Sequence, residues 1–127
     1  MRVRFIGVGD LGQREARGSQ VLEVGAQYPV LEVYAKSGKS NMLRIEYSDR
    51  ELPALYDSRM FEVVSERIPA DWCVTSGIAG SLKFGPRSWT APGFWEAFMD
   101  REPWAVDVYH EGRIESIRDA QDVILRI

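Results

Sequence analysis

Apolar side chains recur along this chain with two different periods, and the changes of period divide it into elements. Val3 and Phe5 alternate with Arg2, Arg4 and Ile6, which predicts a strand over Arg2–Val8 with one buried side. Val21-Leu22-Glu23-Val24 predicts a second, short strand that Gly25 ends. Pro29–Ala35 and Met42–Tyr47 also alternate, with Leu31, Val33 and Ala35 on one side of the first and Leu43, Ile45 and Tyr47 on one side of the second. The polar segment between them, Lys36-Ser37-Gly38-Lys39-Ser40-Asn41, makes the pair an antiparallel hairpin. Ser48-Asp49-Arg50-Glu51 has the S-x-x-E spacing of a capping box, although Pro53 limits the turn that follows. At Met60, Phe61, Val64 and Ile68 the period lengthens, predicting a helix over 58–67 capped by Ser58 and ended by Pro69. Alternation of Phe61 and Val63 leaves a strand there as the second choice.

Pro69 to Trp104 holds all four tryptophans. Trp72–Thr75 and Ser81–Phe84 read as strands, with turns at Gly77, Gly80 and Gly85-Pro86. Phe94, Trp95, Phe98 and Met99 then fall at i, i+1, i+4 and i+5, along one side of a helix. Pro92 suits its first turn, Thr90 or Ala91 its cap, and Pro103 its end. Trp104, Ala105, Val108 and Tyr109 repeat the spacing and predict another helix over 104–111, although Trp104, Val106 and Val108 also alternate. Asp122–Ile127, rich in β-branched residues, predicts a buried C-terminal strand. The sum is one α+β domain over 1–127: a mostly antiparallel sheet of five or six strands with two or three helices on one side, the aromatic helix Pro92–Arg101 packing on it.

Composition narrows the class. The 127 residues, 45% hydrophobic and 28% charged, suffice for a core without metal or disulfides, and no apolar run approaches the ~20 residues that span a bilayer. The N-terminal segment is too short in its apolar part for a signal peptide, and Cys73 alone forms no intrachain disulfide. Both favour a reducing, cytoplasmic location. The net charge of −3 is unevenly spread: Glu96–Asp122 holds eight acids against three bases, whereas residues 1–48 hold seven bases and five acids. An acidic C-terminal third argues against nucleic acid and suits a basic protein partner; a solvated surface is the plainer account.

Candidate chemistry is sparse. Gly7-Val8-Gly9-Asp10-Leu11-Gly12 spells G-x-G-x-x-G, but only Gln13–Arg17 can be helical after it, too short for the crossover of a dinucleotide fold. A glycine-rich loop is the expectation. Gly38-Lys39-Ser40 lacks the glycine five positions earlier that a phosphate loop requires, since Val33 stands there. His110, the single histidine, has Asp107 and Glu111 nearby to orient it as a general base, but with one thiol it cannot build a structural zinc site. A Cys73/His110 nucleophile pair requires an adjacency that spacing does not give, and Cys73 between Trp72 and Val74 reads as a small core residue. No cofactor or metal is expected. Glu96 and Asp100, at i and i+4, read as a solvated helix face, partner contacts or a carboxylate pair, and Arg87-Ser88-Trp89, on a loop flanked by proline and glycine, offers an exposed ring.

The blocks SRMFEVVSERIPADW (58–72) and FGPRSWTAPGFWEAFMDREPWA (84–105), with their P-x-x-W, G-P-x-x-W and P-G-F-W-E elements, resemble a pattern recurrent in small cytoplasmic bacterial proteins, some of them similar to immunity proteins of polymorphic or contact-dependent toxin systems. The resemblance runs from Tyr28 to Glu115 and carries no catalytic residue. It implies a protein that binds and blocks one cognate toxin domain. On that reading Glu96, Asp100, Asp107 and Glu111 are the charged contacts and Trp89 the apolar anchor. The alternatives are a small enzyme using His110 with a neighbouring carboxylate, and an accessory interaction domain with an exposed patch around Trp89 and Trp104.

Overall fold

Antiparallel pairing sorts eight strands into two sheets. The computed structural model describes residues 1–46 and 53–125. In chain order the elements are β1 (Arg2–Phe5), α1 (Gln13–Gly18), β2 (Gln27–Pro29), β3 (Glu32–Ala35), β4 (Met42–Glu46), β5 (Pro53–Asp57), β6 (Phe61–Ser65), β7 (Trp72–Ser76), β8 (Leu82–Pro86), α2 (Phe94–Met99) and α3 (Pro103–Leu125). One sheet has the order β2-β1-β6 and the other β5-β4-β3-β8-β7, every neighbouring pair antiparallel. The class is α+β, as the periodicities predict, with the strands divided five and three.

The β3–β4 hairpin forms as expected, with Val33 opposite Leu43. Its alternation explains the layering. Leu43 and Ile45 join Val3, Phe5, Tyr56 and Phe61 in a core between the two sheets. The intervening Arg44 and Glu46 turn to the other side, where α2 and α3 lie: the Arg44 guanidinium sits over the Trp95 ring and Glu46 accepts from Tyr109 and Arg113. That side holds a second core of Leu31, Trp89, Phe94, Phe98, Ala105 and Tyr109. Burying each of the large rings contributes about 1.5–3 kcal/mol. Leu31, expected beside Val33, belongs to this second core instead, because the chain crosses from one sheet to the other between Pro29 and Glu32 and the alternation breaks there.

Three expected elements differ. Residues 58–67 are not a helix: a 3-10 turn, Ser58–Met60, leads into β6, because β1 offers Phe5 opposite Phe61 and Val3 opposite Val63 and the ladder outweighs the local period. Asp57 caps that turn, its carboxylate accepting from the Arg59 backbone N–H at 2.9 Å. Val21–Val24 forms turns with Val21 and Val24 exposed; the strand is Gln27–Pro29, and Gly25 and Ala26 carry the bonding to Phe5. The expected C-terminal strand falls within α3 as far as Leu125. The S-x-x-E segment at 48–51 lies outside the described residues.

The two helices that carry Trp95 and Trp104 have the predicted order but different ends. Gly93, in the left-handed region at φ 74°, is the cap of α2, with Pro92 just outside it. Arg101, at φ 58°, turns the chain after α2, and Pro103, expected to stop one helix, begins the next, where its missing N–H costs nothing. Among the described residues no helix is long and apolar enough to cross a membrane.

Candidate functional site

The α2–α3 layer holds every residue expected to meet a partner, and it sorts them into core and surface. Trp89 is core, 4% exposed. The 3-10 turn Arg87–Thr90 carries its ring inward to stack between Phe94, 6.0 Å away, and Tyr109, 5.2 Å away, both nearly parallel to it. Its Nε1–H donates to the Val108 carbonyl at 3.1 Å. Gly112 makes this possible, since a Cβ there would stand 2.5 Å from Trp89 Nε1. The partner-anchor assignment of Trp89 is therefore corrected: a ring locked beneath α3 has no face left to offer.

The four acids are on the surface. Glu96 lies on α2 and Asp100 at its C-cap, both exposed; Glu96 also lines a cavity of about 430 Å³ that Cys73, Lys83 and Trp95 share. Asp107 and Glu111 are exposed on α3, one turn apart. The exposed ring that the loop was expected to supply is instead Trp104, 45% exposed, its Nε1–H donating to Glu102 at 3.1 Å. Trp104, Asp107, Glu111 and Ile114, at spacings of three, four and three, form one stripe along α3 in which apolar ends flank two carboxylates; Ile114 is 48% exposed and Met99, on α2, 61%. The same spacing is readable in the sequence, and it is the signal that separates Trp104 from the buried rings.

Beneath the surface the helices are held by charge as well as by rings. Arg44 donates from Nε to Glu32 at 3.1 Å and places its guanidinium 3.9 Å from the centroid of Trp95. Trp95 Nε1 has no hydrogen-bond partner among the described residues. Arg113 pairs with Glu46, which also accepts from the buried Tyr109 hydroxyl at 2.9 Å.

The remaining candidates are dispersed. His110 is half-buried on α3, its ring meeting Tyr109 edge-on. Cys73 is a half-buried free thiol opposite Gly85. The glycine-rich run Gly7–Gly12 is a loop with all three of its glycines at positive φ, and α1 behind it has six residues, none buried. Among the described residues no group of three or more His, Cys, Asp or Glu is placed to hold a metal ion. No protein-family model, curated protein or solved structure matches the chain.

Proposed function

We propose that the protein is a stoichiometric inhibitor of immunity type, which binds a cognate bacterial toxin domain in the cytoplasm of the cell that makes it and covers a basic surface of that domain with the outer face of α3. The observation that supports this reading is the stripe of Trp104, Asp107, Glu111 and Ile114, which presents apolar area and negative charge together on one rigid element. Carboxylates around an exposed ring are complementary to a surface that itself binds a polyanion or a phosphate, and they steer encounter while the ring supplies burial once the two meet. Glu96 and Asp100 extend the same sign of charge onto α2. The reading assigns no chemical step; occupancy of the toxin surface is the activity.

The test starts from the tagged protein held at low salt in a lysate of its own host, followed by association kinetics with the purified stoichiometric partner. The expected partner is basic, arrests growth when expressed alone and is neutralised by co-expression of this chain. Asp107→Lys with Glu111→Lys slows association by about tenfold or more, and Trp104→Ala weakens the complex by about 2 kcal/mol, with thermal melts of both variants near the parent's. Association rates and growth rescue equal to the parent's in both variants would remove α3 from the interface, and a basic partner that co-expression of this chain fails to neutralise would remove the inhibitor reading.

A further inference from the structure

A second cavity, larger than the one beside Glu96, shares no residue with the α3 stripe and has the opposite charge. It lies between α1, the tip of the β3–β4 hairpin and the 3-10 turn after β5, with a volume of about 790 Å³, within the range of small-molecule sites. Four cations line it: Arg14 from α1, Lys36 and Lys39 from the hairpin, and Arg59 from the turn. Two acids, Glu15 and Asp57, line it as well. Asp57 is already committed, because its buried carboxylate accepts from Arg59 Nε at 3.0 Å and Nη2 at 2.8 Å and from the Ser40 hydroxyl at 2.7 Å. That bidentate grip fixes the guanidinium by one edge and leaves Nη1 with no hydrogen bond among the described residues, on a side chain 59% exposed. Arg14, Lys36 and Lys39 form no ion pair among the described residues.

Three segments far apart in sequence thus converge their cations on one concavity in a chain whose net charge is −3. The cations outnumber the acids four to two, a balance that attracts an anion. Apart from Ser40 and two glycines, the rest of the lining is aromatic or aliphatic. Tyr34, Met42 and Leu55 contribute to it, and Tyr34 and Met42 stand opposite each other across β3 and β4. The hairpin tip takes part through its lysine side chains and not as a phosphate loop: it is a turn closed by Lys39 N–H to the Lys36 carbonyl at 3.1 Å, with Gly38 at φ 75°.

We propose that this cavity binds a phosphorylated small molecule, its phosphates held by Arg14, Lys36, Lys39 and Arg59 and its apolar body, of the size of a nucleoside, set against Tyr34 and Leu55. A guanidinium held by one edge and aimed by its carboxylate is the preorganised donor such a group requires. The site is independent of the α3 surface, so either assignment survives the failure of the other.

Titration of the whole chain with ADP at low salt, followed by amide chemical shifts, tests the proposal. Saturable binding is expected, with shifts concentrated at residues 14–18, 36–40 and 57–60. Lys36→Ala with Lys39→Ala weakens ADP by about tenfold or more. Both lysines are exposed, so the melt of that variant stays at the parent's value, and Lys83→Ala, which changes a cation of the other cavity, leaves ADP binding unchanged. Absence of saturation at millimolar ADP, or equal affinity in the double variant, overturns the site. Pyrophosphate binding as tightly as ADP overturns the role of the apolar lining, and a single-stranded oligonucleotide binding more tightly than ADP overturns the small-molecule assignment in favour of nucleic acid.

Discussion

Gly112 occupies a helical position where alanine is ordinarily better by about 1 kcal/mol. Here the preference inverts, because the added Cβ would meet Trp89 Nε1 at 2.5 Å, Trp89 Cε2 at 2.7 Å and Pro86 Cβ at 3.0 Å. The ring cannot swing away, being stacked on both faces and bonded to the Val108 carbonyl. Overpacking of this kind costs about 1–3 kcal/mol, and the strained hydrogen bond adds to it. Gly112→Ala is expected to lose about 1–2 kcal/mol net in a urea melt; a gain would show that the aromatic stack is free to shift. Asp57 carries a different signature. Hydrogen bonds from Arg59 hold its carboxyl well below its ordinary value of 3.8, against the opposing effect of burial. A carboxyl depressed in the folded state binds its proton more readily when unfolded, so its stabilisation is complete at pH values above 3.8 and is lost as pH falls below that toward the native value. Asp57→Asn should be less stable than the parent at neutral pH by about 1–2 kcal/mol and show a flatter decline between pH 4 and pH 2. Parallel pH profiles for the two would remove Asp57 from the acid sensitivity of the fold.

At the scale of elements, the five-stranded sheet is covered on both sides, and its helix-facing side is the one that sequence patterns conceal. Alternation in β3 and β4 correctly predicts strands, yet Glu32, Arg44 and Glu46 read as solvent-facing positions when they lie under α2 and α3. Nothing local marks them, because a polar residue paired across a ladder looks like any exposed one until its neighbours are known. Glu32 fits beside Gly85, whose missing side chain leaves room for it: a Cβ there would meet Glu32 Cγ at 3.1 Å. Removing Glu32 strands a largely buried guanidinium. Glu32→Ala is therefore expected to cost about 3 kcal/mol in chemical denaturation, and Glu32→Leu with Arg44→Leu to be more stable than Glu32→Ala. A single variant as stable as the parent would mean that Trp95 alone accommodates the charge of Arg44. The helix expected over 58–67 fails for a related reason. Met60, Phe61 and Val64 have helical spacing, but Phe61 is buried by pairing with β1, more than fifty residues earlier, and no window around it contains that partner.

At the scale of the whole molecule, the acidic third and the cationic cavity give the protein two faces of opposite sign, of which the sequence count exposes only the first. Acid-rich 96–122 is visible as composition. The cavity is not, since Arg14, Lys36, Lys39 and Arg59 are dispersed along the chain and meet only when the hairpin, α1 and the turn are in place. Tryptophan content locates the aromatic layer but not the burial of Trp89, which depends on the slot that Gly112 opens for its ring, whereas Trp104 shares the outer side of α3 with Asp107 and Glu111. Long-range closure also sets how this chain reaches its structure. β1 finds β2 nearby in the chain, yet a two-stranded ribbon is marginal in water, and its other neighbour, β6, arrives only after three further strands have been made. β3 likewise waits for β8. Such separation between partners places folding in the slow, millisecond-to-second regime of non-local topologies, during which the edges of β1 and β3 stand open to other chains.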